Sequence, residues 1–165
     1  MSSERVEVEL GPAVKVERVT ALSAAPSMLI ELLESPLFER HDTSSLSSVA
    51  GGGSATPPRA ARLFMDKVPD CYPGAGWGLT ETNSNGSACT GRAFRAKPGT
   101  AGFLHPTVEL RVRDEEGNEL PQGVPGRLWI KSPTLVSGYW NCPEATAKEF
   151  RDGWFNSGDI GFLDA

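Results

Sequence analysis

An apolar run from Val19 to Ala25 breaks at Pro26 and resumes as Met28, Leu29, Ile30, Leu32 and Leu33. The run predicts a buried strand, and Pro26 suits the first turn of a helix reaching Leu33. Polar punctuation at Asp42 to Leu46 is followed by Ser47 to Ala50, a short strand running into the permissive loop Gly51-Gly52-Gly53-Ser54. Pro57-Pro58 then opens a helix from Arg59 to Lys67, with Leu63, Phe64 and Val68 as its apolar stripe. Cys71 to Trp77 is the next strand, weakened by its own Pro and Gly residues.

Residues 19 to 80 thus repeat a strand–helix rhythm, which favours an α/β layer. Beyond Gly91 the period changes. Thr107 to Arg113 alternates with period two, Asp114 to Asn118 is turn chemistry, and Gly126 to Lys131 is a second half-buried strand. Two strands joined in this way predict a small antiparallel, barrel-like sheet. Pro143 to Phe150 reads as a short helix opened by proline, with Glu144 and Lys148 spaced for an i,i+4 pair. Asp152 to Phe155 is then a turn and a strand start leading to a loop with Asp159. The expected fold class is α/β: a partial α/β layered sheet followed by a small antiparallel β, barrel-like subdomain. The expected division is a tail over residues 1–18, an α/β subdomain over 19–92 and a β-rich subdomain over 93–165. The tail alternates polar and apolar through Lys15, as a frayed strand or an unpacked segment would.

Composition narrows the functional classes. With 165 residues, 39% apolar and 22% charged, the chain suits one ordinary globular domain, and its 18 Gly and 13 Pro imply many turns. A net charge of -5 without a Lys/Arg cluster argues against a nucleic-acid partner. No apolar run spans a bilayer and the start lacks a signal-peptide layout, so the expected address is cytoplasmic. Cys71, Cys89 and Cys142 lack a CxxC pattern and read as ordinary thiols. His41 and His105, the two histidines, are isolated, which disfavours a histidine triad or metal centre.

The candidate chemistry lies in two distant strings. In Trp77-Gly78-Leu79-Thr80-Glu81 the ring can stack on a base and Gly78 lets backbone approach it. The Thr80 hydroxyl can donate to a phosphate, and Glu81 can hold a hard cation such as Mg²⁺. The same string also suits a strand end with a buried Trp and a capping Thr. In Ser157-Gly158-Asp159, 78 residues beyond Glu81, the carboxylate can accept bonds from two ribose hydroxyls, while Gly-Asp is equally common turn chemistry. Gly51, Gly52, Gly53 and Ser54 could lie flat against a planar ligand or form a flexible corner. No Gly-Lys-Ser/Thr follows them, so they are not a phosphate loop.

Five strings occur in order: VAGGGSATPP from Val49 to Pro58, GWGLTET from Gly76 to Thr82, GRLWIKSP from Gly126 to Pro133, GYWNCPEAT from Gly138 to Thr146 and DGWFNSGDIG from Asp152 to Gly161. Together they resemble the acyl-CoA synthetases of the adenylate-forming superfamily, especially fatty acyl-CoA ligases, over about residues 16–165. That resemblance implies ATP-dependent activation of a fatty or other carboxylic acid to acyl-AMP, then transfer to coenzyme A. It implies Trp77 and Gly78 at adenine, Thr80 at phosphate, Glu81 as the Mg²⁺ ligand, Asp159 at ribose, and Gly51 to Ser54 lining the adenine and acyl pocket. Thr80 and Glu81 are its catalytic candidates; ATP or AMP, Mg²⁺ and coenzyme A are its expected small molecules.

The resemblance also implies elements that these residues do not supply: a Lys-bearing phosphate loop upstream and a small C-terminal domain with a catalytic Lys. The expectation is a truncated ligase-like segment, inactive alone and dependent on complementing fragments. The alternatives are a non-catalytic adenine-nucleotide or acyl binding module, or a structural protein without a ligand. Within the motifs, Trp77 stands where Tyr or Phe is usual, Arg127 replaces a common acidic residue, and Ser157 replaces Thr.

Overall fold

The computed structural model describes residues 17–164. The alternating start through Lys15 lies outside these residues. The chain folds into two compact units, one built from the chain up to Trp77 with Ser87–Phe103, the other from Gly78–Gly86 with the chain from Leu104 onward.

The first unit is the α/β layer. Strands β1 (Ala21–Ala24), β2 (Ser48–Gly51) and β3 (Tyr72–Trp77) run parallel, with Val49 beside Leu22 on one side and Pro73 on the other. Helix α1 (Pro26–Glu34) links β1 to β2, and α2 (Pro58–Lys67) links β2 to β3. Each opens with proline, whose fixed φ suits a helix start where its lost N–H leaves no intrahelical bond unmade. The strand order advances in one direction, so two crossovers of the same hand put both helices on one face, where they pack together. From α1 come Leu29 and Leu33, each 1% exposed, and from α2 come Ala60, Ala61 and Phe64, fully buried against Val49. The stripe of α2 therefore centres on Ala60, Ala61 and Phe64. Leu63 is only partly buried.

Beyond β3 the chain returns as β4 (Ser87–Thr90), antiparallel to β3, then α3 (Gly91–Ala96) and β5 (Phe103–Leu104) at the sheet edge. Phe94 of α3 is fully buried. Gly102 has φ +92, and an added Cβ would stand 2.2 Å from the Ala88 carbonyl, so close passage of these segments demands glycine.

The second unit carries a four-stranded antiparallel sheet in the order β6 (Glu109–Arg113), β7 (Gly126–Lys131), β9 (Trp154–Gly161), β8 (Phe150–Arg151). Helix α4 (Pro143–Glu149) precedes β8. The core of this sheet is Val112, Leu128, Trp129, Ile130, Trp154 and Phe155. Arg111 lies 4.4 Å over the Trp154 ring and Arg113 4.8 Å over Trp129, covering one sheet face with guanidinium planes. The fold class is thus α/β followed by a small antiparallel β subdomain. No described helix is long and apolar enough to cross a membrane.

Three local expectations are corrected. Gly51 closes β2, so the glycine-rich loop begins at Gly52. Phe150 belongs to β8 instead of the preceding helix, where its ring meets Phe155 at 4.6 Å between centroids. Lys148 pairs with Glu149 at 3.1 Å and not with Glu144 four residues earlier, because Glu149 is turned toward the sheet by Asn156.

Candidate functional site

The segment after Trp77 is a tight turn. Thr80–Thr82 forms one 3-10 turn, with the Leu79 N–H donating to Thr82 Oγ1 at 3.1 Å and that hydroxyl donating to Leu79 O at 3.0 Å. Thr82 is fully buried by this exchange, so it is Thr82, two residues after Thr80, that caps the turn. The backbone then passes through left-handed Asn83 (φ 53) and Ser84 (φ 61). The effect is to leave Thr80 exposed and the Glu81 side chain half-buried.

A second loop, residues 132–142, clamps this turn. The Val136 N–H donates to Glu81 O at 2.9 Å, Thr134 Oγ1 donates to Thr82 O at 2.9 Å, and Asn83 Nδ2 donates to Thr134 O at 2.9 Å. At the loop's end the Tyr139 hydroxyl donates to Glu81 Oε1 at 2.7 Å. The Tyr139 N–H is itself bonded to Thr146 Oγ1 at 2.9 Å, and its ring sits edge-on to Phe150 at 5.6 Å. Burial, then the Glu81 bond and the charges of Glu81 and Glu149, push the Tyr139 ionisation up to about 12. The hydroxyl therefore stays a donor at any physiological pH.

Asp159 sits on a β-bulge. Asn156 pairs with Trp129 and Ile160 with Arg127, so four residue steps on β9 match two on β7. Ser157, Gly158 and Asp159 together face Leu128 alone, an extra-residue bulge of the kind that re-aims side chains beside a site. Ser157 Oγ donates to Leu128 O at 2.9 Å and accepts from the Asp159 N–H at 3.2 Å, while Gly158 adopts φ +76. The expected loop is in fact an interruption inside a strand.

Glu81, Tyr139, Ser157 and Gly158 line one open cavity of about 470 Å³ in the second unit. Arg127, Lys148, Glu149, Phe155 and Asn156 complete its wall. Lys148 and Asn156 both engage Glu149. Among the described residues no partner is recorded for the half-buried Arg127 guanidinium, which leaves it as the cavity's uncommitted cation. Phe155 gives the cavity an apolar element among polar and charged walls of both signs, the mixture expected of a small-molecule site.

Among the described residues no three His, Cys, Asp or Glu side chains gather into a metal site. Mg²⁺ needs only one or two carboxylates when phosphates of a substrate complete its shell. Glu81 fits that demand, since Tyr139 occupies Oε1 and, among the described residues, Oε2 is left open to a cation. The remaining sequence candidates belong to the first unit: Trp77, half-buried, ends β3, Gly51 ends β2, and Gly52, Gly53 and Ser54 follow it. Gly78 opens the second unit's turn.

Tyr139, Arg127 and Glu149 were not singled out as site residues from the sequence. Arg127 and Tyr139 did lie inside motif strings, yet the Tyr139 bond to Glu81 spans 58 residues and leaves no periodic trace.

A family model described as AMP-binding enzyme matches residues 6–140. The chain is 34% identical over 157 residues to 4-coumarate–CoA ligase 2 of Oryza sativa subsp. japonica, which covers 92% of this chain and 28% of that protein. Its structure resembles an amide bond synthetase from Marinactinospora thermotolerans with TM-score 0.84 at 31% identity, covering 99% of this chain and 32% of that one. It also resembles an anthranilate CoA ligase in complex with anthranoyl-AMP, with TM-score 0.90 at 25% identity, covering 100% of this chain and 31% of that one. The chain thus spans about a third or less of these proteins.

Proposed function

The chain belongs to the AMP-binding enzyme family, and from that premise we propose that its second unit binds the ribose and phosphates of an adenine nucleotide in an adenylate-forming ligase. The observation that carries the reading is the shared cavity: Glu81 and the Ser157–Gly158 bulge, far apart in sequence, line one space, with Asp159 next on the bulge. In this reading Asp159 accepts the ribose hydroxyls and the Thr80 hydroxyl donates to a phosphate. Glu81 holds Mg²⁺ with the triphosphate, and Trp77, Gly78 and Gly51 to Ser54 serve adenine and acyl group as the motifs imply. Bound there, Mg²⁺ would offset triphosphate charge that otherwise repels an incoming carboxylate.

Adenylation joins a carboxylate oxygen to the α-phosphorus and releases pyrophosphate; passage of the acyl group to coenzyme A releases AMP. Both steps are proposed for a ligase of the relatives' full length, and nucleotide binding for these residues themselves. The relatives named for coumarate and anthranilate favour an aromatic acid over the fatty chain that the motifs imply.

Calorimetry of the 165-residue chain tests the reading. AMP should bind, and Asp159→Ala should weaken it by roughly tenfold or more, the loss of a charge-assisted bond pair. An adenylate mimic carrying a cinnamoyl group should bind more tightly than one carrying a fatty chain. No heat with AMP, or the same heat from Asp159→Ala, would sink the nucleotide assignment.

A further inference from the structure

Resting on that reading of the site, we infer that Tyr139 is a positioning residue for the cation bound with the nucleotide: its hydroxyl fixes Oε1 of Glu81 and reserves Oε2 for Mg²⁺. The geometry supports this from both ends of the bond. Glu81 is a half-buried carboxylate on a one-turn helix, and its backbone carbonyl is held by the Val136 N–H at 2.9 Å. Its side chain would still rotate freely without a second anchor, and the recorded anchor is the 2.7 Å bond from Tyr139. Tyr139 in turn cannot drift. Its N–H is bonded to Thr146 Oγ1, its ring abuts Phe150, and Gly138 before it (φ +150) lies so close to Thr146 that an added Cβ would meet Cγ2 at 2.4 Å. The chain has therefore built a rigid donor from the 132–142 loop and aimed it at one oxygen of a carboxylate on a different segment. A purely structural bond would not need its acceptor to line an open cavity, as Glu81 does.

A hydrogen bond to a ligating carboxylate orients it and tunes its hold on the metal, and losing such a partner typically costs roughly 10- to 100-fold in metal affinity. Tyr139→Phe keeps the ring against Phe150 and removes only the donor. In calorimetry of the full chain, this variant should need roughly tenfold or more Mg²⁺ for half-maximal ATP binding. Its affinity for AMP in a metal chelator should stay within about twofold, since no cation takes part. Glu81→Gln should remove the Mg²⁺ dependence, and adding Tyr139→Phe to it should change nothing further.

Equal losses of AMP and Mg²⁺–ATP affinity in Tyr139→Phe, or an unaltered Mg²⁺ requirement, would each overturn the inference. A wild-type chain that binds neither nucleotide would instead overturn the functional reading on which it rests.

Discussion

At Gly78 a single hydrogen in place of a methyl group lets the turn close. A Cβ added there would stand 2.5 Å from the Ser84 carbonyl oxygen and 2.7 Å from its carbon, both backbone atoms that cannot swing aside. Relief requires opening the turn that Thr82 caps, which would also displace Glu81. Gly78→Ala is expected to lower stability by about 1–3 kcal/mol, the usual range for overpacking a fixed site. Gly52→Ala supplies the contrast, because nothing lies within 4 Å of its added methyl and its φ is ordinary. That variant should stay within about 0.5 kcal/mol of the parent in urea unfolding. Equal midpoints for both variants would mean that the turn tolerates opening. The contrast separates a glycine required by close backbone packing from one with open space around it.

At the scale of elements, the sequence was most legible where one local rule decides the outcome. Proline starts α1, α2 and α4, and β7 runs over Gly126–Lys131 as expected, although Leu128, Trp129 and Ile130 are buried in succession and the strand is not half-buried by alternation. The six-residue α3, the edge strand β5 and the bulge at Ser157–Asp159 were not legible. Each exists only because a distant segment fixes it: the core that swallows Phe94, the sheet edge, and the register of β7 against β9. The candidate site follows the same division. Glu81 and Asp159 were visible as residue types, whereas the Tyr139 bond and the clamp of the 132–142 loop depend on chain reversal. Thr134 shows how much that clamp rests on one hydroxyl, which donates to Thr82 O and accepts from Asn85 Nδ2 at 3.3 Å, with Ser132 Oγ 2.8 Å away. Thr134→Val keeps the shape and removes these bonds, yet Thr82 O keeps the Asn85 N–H at 3.1 Å, Asn85 Nδ2 keeps Thr107 Oγ1 at 3.3 Å and Ser132 Oγ keeps the residue-134 N–H at 3.2 Å, so the expected loss is the net worth of the bonds, about 0.5–1.5 kcal/mol. Amide exchange at Val136 should accelerate with it. Unchanged exchange would show that the clamp is held by its backbone bond alone.

The molecule as a whole carries a net charge of -5, so a nucleotide bearing several negative charges approaches against a repulsive background. The cavity answers with Arg127, because its other cation, Lys148, is already paired with Glu149. Glutamate is the informative replacement at this position, since an acidic residue is the common one in the resembled motif. Two charged atoms 4 Å apart interact by about 1 kcal/mol in water. Reversing the sign of Arg127 turns that attraction into an equal repulsion, about 2 kcal/mol in all, and should therefore weaken ATP binding by roughly 30-fold at low ionic strength. AMP, with fewer charges, should lose less. The interaction is half-exposed and so open to screening: the Debye length shrinks from about 10 Å at 0.1 M salt to about 3 Å at 1 M. Titrating ATP into wild type and Arg127→Glu across that range should show the two affinities converging as salt rises. If the gap between them instead stays constant, Arg127 acts by shaping the cavity wall and not by its charge, and the anionic ligand must be met by another group.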